Sequence, residues 1–141
     1  MELEYSKNIE LAGEVLKQMR KAILYLQEWN KDIADMHELE NSPLGMQKLA
    51  GNCMLIQTIG EGVKKIDKCT EGKLLAYRPE IPWKRVTGMR DRISHGYFDL
   101  DTGYIDDIIK NDLAPLLEAV EALIALIDTL RIEKEVDDHC K

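Results

Sequence analysis

The sequence predicts an all-α fold, an antiparallel bundle of four to five helices. Apolar residues recur at helical spacing along most of the chain, no segment alternates as a β-strand does, and helix-forming residues are abundant. The chain has 141 residues, the length of one domain, which can bury about 70% of its unfolded surface. We therefore expect one helical domain over residues 1–141, with frayed tails at 1–5 and 133–141.

The first two helices are predicted over residues 6–30 and from Ser42 onward. In the first, one buried face is formed by Ile9, Ala12, Val15, Leu16, Met19, Ile23 and Leu26. A polar connection at residues 31–40 has room for a short helical turn. Ser42 and Pro43 are typical of an N-cap and a first helical position. The apolar face that follows holds Leu49, Cys53, Ile56, Ile59, Val63 and Ile66.

Three glycines interrupt the second helix: Gly51, Gly60 and Gly62. Each costs about 1 kcal/mol of helix stability relative to alanine. Close approach of a neighbouring helix would offset that cost, so we interpret these glycines as packing positions.

A short third helix is predicted over residues 83–95, starting at Pro82 and ending at Gly96, which suits the left-handed residue after a helix. The helical pattern resumes over residues 105–130, where Pro115 interrupts it. A proline in a helix interior removes a hydrogen bond and clashes with the preceding turn. We expect a kink there, or a new helix with Asp112 as its cap.

Charge is distributed unevenly along the chain. The net charge is -7, yet residues 64–92 hold nine basic and four acidic side chains, which gives this middle segment +5. Such a segment can bind an anion locally while the molecule as a whole repels polyanions. Solvated helix faces account for the pattern equally well on charge alone.

The chain is expected to be cytoplasmic and without a membrane segment. Its N-terminus is acidic where a signal peptide is basic, and its apolar runs are far shorter than the roughly 20 residues of a membrane-spanning helix. Three cysteines without a C-x-x-C pair, Cys53, Cys69 and Cys140, are expected to be free thiols.

Basic and titratable side chains concentrate between Arg90 and Tyr97. On a continuous helix Asp91 and His95 would share a face, so the carboxylate could orient the imidazole. Arg90 could hold a phosphate near the helix end. Such groups suit cleavage of RNA without a metal ion, through attack by a 2'-hydroxyl. One histidine cannot easily act as both base and acid, but two copies of the chain could supply both.

The segment RDRISHGY at residues 90–97 resembles the R-x4-H-x-Y motif of HEPN-domain proteins of the HepT type. The segments QTIGEGVKKI, PEIPWKRVTGMRD and IIKNDLAPLLEAV also resemble that family, in the same order. The likeness covers about residues 49–130. The position after the motif arginine is often asparagine in the family and is Asp91 here, which adds a negative charge beside the phosphate site.

The resemblance implies a HEPN fold, a homodimer with a composite cleft, and an endoribonuclease that needs no metal and no cofactor. It implies the toxin of a toxin–antitoxin pair, whose partner is an MNT-type nucleotidyltransferase that adds AMP to the motif tyrosine. Carried over by position, Arg90 and His95 are catalytic, Asp91 is supporting, and Tyr97 is the modifiable residue.

Several other residues, most of them near the motif, are candidates for a role in the site. Lys84, Arg85 and Arg92 are candidate RNA contacts at the rim of the cleft. Glu61 is either a polar partner of the motif arginine or an ordinary exposed residue, and Trp83 favours a core or interface anchor over a base-stacking platform. For the whole chain, the alternative is a non-catalytic helical partner that binds a nucleotidyltransferase or a nucleotide.

Overall fold

The computed structural model describes residues 3–96 and 98–140, and in these residues the fold is all-α, as predicted. The described residues form six α-helices, one more than the upper expectation: α1 (Lys7–Asn30), α2 (Pro43–Cys69), α3 (Trp83–Thr87), α4 (Met89–Ile93), α5 (Thr102–Asp107) and α6 (Leu113–His139). Two 3-10 helices, Met36–Asn41 and Leu75–Tyr77, and a π-helical turn, Ile108–Asp112, lie in the connections. Across these ranges, no helix is long and apolar enough to cross a membrane.

The first two helices begin where the sequence predicts. Ser6 caps α1 by accepting a hydrogen bond from the amide of Ile9, at 3.3 Å. Ser42 caps α2 in the same way, accepting from the amide of Gly45 at 2.9 Å. Every predicted face residue of both helices is buried except Cys53, which is half-buried. Capping and apolar periodicity therefore suffice to place these two helices.

α1 and α2 lie antiparallel and in close contact through two of the glycines. A Cβ atom on Gly51, near the start of α2, would lie 3.3 Å from the ring of Trp29, near the end of α1. A Cβ on Gly62 would lie 2.7 Å from Cγ of Met19, further back along α1. The predicted packing role of these glycines is confirmed.

α6 covers the other side of α1, also antiparallel to it. Gly13 contacts Ile127, where a Cβ on the glycine would lie 3.5 Å from Cγ2 of the isoleucine. Further along α6, the guanidinium of Arg131 lies over the ring of Tyr5, 5.7 Å from its centroid. The three long helices thus form a layer with α1 in the middle, and α3 and α4 pack on α2.

The predicted third helix is wrong in its continuity and its end. It is divided into α3 and α4 at Gly88, and α4 ends at Ile93, not at His95. Ser94 adopts an extended conformation, with φ -150° and ψ 133°. Gly96 has a positive φ of 145°, as expected of this glycine, but it lies in a turn beyond the helix and does not end it.

A π-helical turn precedes Pro115, which lies in the first turn of α6. α5, the turn Ile108–Asp112 and α6 follow one another directly, and Asp112 immediately precedes α6, at the predicted position. The widened turn accommodates a proline that has no amide proton to donate to the preceding turn. α6 then continues to His139, through the charged segment expected to fray.

α3 packs closely against the backbone of α2 at Gly60. A Cβ on Gly60 would lie 3.2 Å from the carbonyl oxygen of Val86 and 3.6 Å from that of Thr87. Trp83 fixes the other end of α3, since its indole Nε1 donates to the carbonyls of Leu75 and Arg78, at 3.1 and 3.0 Å. The position of α3 is therefore set from both ends.

A pair of buried amides joins α1 to α2. Asn30 and Asn52 exchange hydrogen bonds through their side chains, both at 2.9 Å. Asn30 also donates to the carbonyl of Leu26, at 2.7 Å. Because a buried polar group without a partner loses its hydration, this pair favours one register of α1 against α2.

We expect Asn52→Ala to lower the free energy of unfolding by about 1–3 kcal/mol, because the amide of Asn30 is left buried without its partner. Urea denaturation followed by circular dichroism measures the change. Asn8→Ala, at an exposed position of α1, is the matched control and should stay within about 0.5 kcal/mol of the parent. Equal stabilities of the two variants would contradict a structural role for the amide pair.

We expect Gly60→Ala to destabilise the chain although alanine favours helix by about 1 kcal/mol, because its Cβ presses on backbone carbonyls of α3. Gly13→Ala is the control: its Cβ meets Ile127 at an ordinary contact distance, so this variant should match or exceed the parent in stability. Thermal unfolding of the three proteins measures the order. A Gly60→Ala variant as stable as Gly13→Ala would contradict the close contact.

Candidate active site

Arg90 lies on α4 and reaches across to α2. Its Nη1 lies 3.6 Å from Oε1 of Glu61, which is also 3.7 Å from Nζ of Lys64. About half of the Arg90 side chain is exposed. The interpretation of Glu61 as a polar partner of the motif arginine is confirmed. An exposed ion pair of this kind contributes little to stability, so it leaves the guanidinium available for another anion.

His95 lies in a short loop that follows α4. The loop is closed by an antiparallel bridge between Ser94 and Leu100. The amide of His95 donates to the carbonyl of Asp99 at 3.1 Å, and the amide of Asp101 donates to the carbonyl of Ile93 at 2.9 Å. His95 is exposed. The backbone around the histidine is thus held by main-chain hydrogen bonds while its side chain faces solvent.

Ser94 has two contacts inside this loop. Its hydroxyl accepts a hydrogen bond from the amide of Gly96 and lies at 3.1 Å from the carbonyl oxygen of the same residue. These contacts stabilise the turn immediately after His95. Sequence reasoning gave Ser94 no role, since a serine between Ile93 and His95 resembles any other polar helix residue when the helix is assumed to continue.

The predicted facing of Asp91 and His95 is wrong. It assumed an unbroken helix, whereas α4 ends at Ile93 and the chain becomes extended at Ser94. Within residues 3–96 and 98–140, no hydrogen bond or ion pair joins the two side chains, and both are exposed. Tyr97, the expected modification site, lies outside the described residues.

A groove of about 600 Å³ lies between α1 and α2 and extends to the motif loop. Glu61 and Ser94 line it, so residues in contact with or next to Arg90 and His95 form part of its wall. Much of the rest is apolar, including Met19, Cys53 and Met54.

Burial raises the pKa of the Cys53 thiol, which keeps this cysteine protonated near neutral pH. All three cysteines are free, as predicted.

The three candidate RNA contacts are placed in different surroundings. Lys84 lines a second cleft, between α2 and α3. Arg85 lies 3.9 Å from Asp112, and a hydrogen bond with Tyr104 raises the pKa of its guanidinium. Arg92 lies over the ring of Tyr104, 4.0 Å from its centroid. Arg85 and Arg92 therefore meet at Tyr104, whereas Lys84 lies apart from them in the second cleft.

Tyr104 is a residue that sequence reasoning missed. It is buried on α5 and contacts both Arg85 and Arg92, which are seven residues apart on two short helices. A tyrosine beside the N-cap Asp101 carries no sequence signal for such a role.

In the described part of the chain, no three His, Cys, Asp or Glu residues are grouped as metal ligands would be.

The model of the family described as ribonuclease HepT-like matches residues 19–123. A provisionally named RNase of Methanocaldococcus jannaschii is 34% identical over 73 residues, covering 52% of this chain and 57% of that protein. A probable ribonuclease HepT of Thermococcus cleftensis is 35% identical over 68 residues, covering 48% of this chain and 58% of that protein. The chain thus spans a little over half the length of these two relatives.

A second provisionally named RNase of Methanocaldococcus jannaschii is 29% identical over 94 residues, which cover 67% of this chain and 79% of that protein. No solved structure matches the chain. The family model covers well over half of the chain and includes Arg90 and His95. By this match, the chain belongs to the ribonuclease HepT-like family, in agreement with the resemblance of its motif.

Proposed function

We propose that this chain is an endoribonuclease that cuts RNA without a metal ion. The observation that carries the proposal is that Arg90 and His95 are both exposed in a member of the HepT-like family. Arg90 pairs with Glu61 and His95 follows Ser94, and Glu61 and Ser94 line one groove. The relatives named as RNases support the same class of activity.

In the proposed reaction His95 takes the proton of a ribose 2'-hydroxyl. The oxygen attacks the adjacent phosphorus, and the bond from phosphorus to the 5'-oxygen of the next nucleotide breaks. A second histidine returns a proton to that oxygen, which leaves a 2',3'-cyclic phosphate and a 5'-hydroxyl. Arg90 stabilises the negative charge that develops on the phosphorane oxygens.

The reaction needs a second proton donor, and a second copy of the chain would supply it. The groove beside the motif loop is lined by apolar residues, and Met54 at its edge is 70% exposed. Burying such a surface is favourable, which supports a homodimer formed over this face. The one composite site of the dimer would then hold two copies of His95 and two of Arg90.

Arg90 carries its own counter-ion in the free protein. Oε1 of Glu61 lies 3.6 Å from Nη1 of Arg90, and the same oxygen lies 3.7 Å from Nζ of Lys64. An RNA phosphate would replace the carboxylate as the partner of Arg90 and form a bidentate pair that the present geometry lacks. Glu61 thus holds the arginine near its working position before RNA binds.

We further propose that the chain is the toxin of a toxin–antitoxin pair, with an MNT-type nucleotidyltransferase as its antitoxin. Adding AMP to Tyr97 would place a bulky anion two residues from His95, where it competes with an RNA phosphate. This regulation rests on the R-x4-H-x-Y motif of residues 90–97.

We expect His95→Ala and Arg90→Ala each to lower RNA cleavage by at least about 100-fold, since each removes a proton-transfer group or a charge that stabilises the transition state. Cleavage by the parent chain should be unchanged by EDTA. The readouts are the rate of cleavage of a labelled RNA, the growth arrest on expression of the chain, and the mass in solution, which should be that of a dimer.

His37→Ala is the matched control, because His37 is exposed on the 3-10 helix Met36–Asn41 and remote in sequence from the motif. It should cleave at the parent rate. If the parent chain and the two motif variants behave alike, the chain is instead a non-catalytic partner of a nucleotidyltransferase. Loss of cleavage in EDTA would overturn the metal-free mechanism, and a monomer that cleaves RNA would overturn the composite site.

Incubation with the proposed nucleotidyltransferase and ATP should add one or more AMP units to the peptide that contains Tyr97, and RNA cleavage should fall in parallel. Mass spectrometry of the digested protein measures the modification. Tyr77, which is 45% exposed, is the internal control and should stay unmodified. Tyr97→Phe should keep cleavage and lose the silencing. An unmodified Tyr97 under these conditions would overturn this part of the proposal.

A further inference from the structure

A second cleft, of about 550 Å³, lies between α2 and α3. We call it the lysine cleft, after three of its residues: Lys64 and Lys68 on α2, and Lys84 on α3. Its volume is within the range of small-molecule sites, about 300–1,000 Å³. Neither Lys64 nor Lys68 takes part in the proposed proton transfers.

The three ammonium groups are only lightly neutralised. Lys64 shares the carboxylate of Glu61 with Arg90, at 3.7 Å, and its side chain is 56% exposed. Over the described ranges, neither Lys68 nor Lys84 forms an ion pair, although the chain carries 26 acidic residues. Among these lining residues, Asp67 is the one carboxylate. The lysine cleft is therefore a local site for an anion on an otherwise acidic protein.

The lysine cleft also has an apolar wall with a fixed aromatic ring. Trp83 lines it and is half-buried, and its indole is held by two hydrogen bonds to backbone carbonyls. Val63 and Leu75 lie beside it. A ring whose orientation is already fixed loses little entropy when a flat ligand stacks on it. The interpretation of Trp83 as an anchor is confirmed by its hydrogen bonds, and the part of its side chain that is not buried lines the cleft.

The lysine cleft lies close to the motif along α2. On this helix Lys64 and Lys68 follow Glu61, the partner of Arg90, by three and seven residues. The three side chains are therefore spread along about 10 Å of the helix axis. A strand whose scissile phosphate sits at Arg90 thus needs only a few nucleotides to reach the lysine cleft.

We propose that the lysine cleft is a second RNA subsite, which holds a nucleotide flanking the scissile phosphate. Its base stacks on Trp83, and its phosphates lie against Lys64, Lys68 and Lys84. This inference rests on the proposed function, since it extends the RNA path from the same motif. It predicts a preference for single-stranded RNA, whose bases are free to leave the strand and stack.

The chemistry of the lysine cleft favours a nucleotide over an acidic protein segment. A nucleotide combines an anion with a flat apolar face, and the cleft combines lysines with an indole ring. The carboxylate of Asp67 can accept a hydrogen bond from an amino group on a base, whereas it would repel a run of acidic side chains.

The test uses the full chain and a single-stranded RNA oligonucleotide with 2'-O-methyl groups, which can bind but cannot be cut. Affinity is measured by fluorescence anisotropy over a series of salt concentrations. For Lys64→Ala with Lys68→Ala, we expect the slope of log affinity against log salt to fall in magnitude by about 1.4, because each phosphate contact on a single strand contributes about 0.7. The control, Lys7→Ala with Lys48→Ala, removes two exposed lysines outside the lysine cleft and should keep the parent slope.

Stacking is tested separately by tryptophan fluorescence. The chain has two tryptophans, so Trp29→Phe leaves Trp83 as the sole emitter. The same oligonucleotide should quench this emission, and the double lysine variant in this background should require more RNA for the same quenching. Circular dichroism confirms that each variant folds as the parent does.

Equal salt slopes for the cleft and control variants, or Trp83 emission that saturating RNA leaves unchanged, would overturn the subsite. Polyglutamate that binds with the same lysine dependence and displaces the RNA would show that the lysine cleft takes an acidic protein.

Cleavage of unmodified RNA separates this inference from the proposed function. Cleavage that depends on His95, combined with binding indifferent to Lys64 and Lys68, defeats only the subsite. Binding that depends on these lysines without any cleavage defeats only the nuclease.

Discussion

The close contact between Gly60 and the carbonyl oxygens of α3 is the constraint on which the position of Arg90 and the lysine cleft depend. Because residue 60 has no side chain, Val86 and Thr87 lie against the backbone of α2. This contact brings Arg90, on the next short helix, within reach of Glu61, and sets Lys84 opposite Lys64 across the lysine cleft. Five-residue helices have too few internal hydrogen bonds to be stable alone, so their position is set by what they pack against.

The distribution of charge divides this surface into a part that can attract an anion and a part that repels one. The net charge of -7 repels polyanions, and the excess of +5 over residues 64–92 is folded onto α2, α3 and α4. Of the arginines in that segment, Arg90 is partially neutralised by Glu61, and Arg85 is paired with Asp112 and Tyr104. Basic residues close in sequence therefore serve different partners, and only some of them face a cleft.

The fold was predictable where a periodic pattern extends over several turns. The buried faces of α1 and α2, their serine caps and the packing glycines all follow from local rules that tertiary structure had no reason to override. The end of the third helix was not predictable, because residues 89–95 contain neither glycine nor proline. The turn to extended backbone at Ser94 is stabilised by the bridge to Leu100. From the sequence, Glu61 could be either a partner of Arg90 or an ordinary exposed residue, and the structure was needed to decide between them. The role of Tyr104 could not be predicted, because it depends on a three-dimensional contact between α4 and α5.

The end of α4 at Ile93 changes what Asp91 can do in the proposed reaction. On a continuous helix its carboxylate would orient His95 and offset the repulsion it adds beside a phosphate. Because α4 ends at Ile93, both side chains are exposed, and in the described ranges no hydrogen bond or ion pair joins them. Asp91 therefore cannot orient His95, but its negative charge is still present. That charge is screened by solvent and salt over distances of about 10 Å. In the proposed enzyme, the orientation of His95 must then come from groups outside the described single chain, either the RNA itself or the second copy that completes the cleft. In that proposal the second copy supplies the second proton transfer, and either it or the bound RNA fixes the imidazole that performs the first.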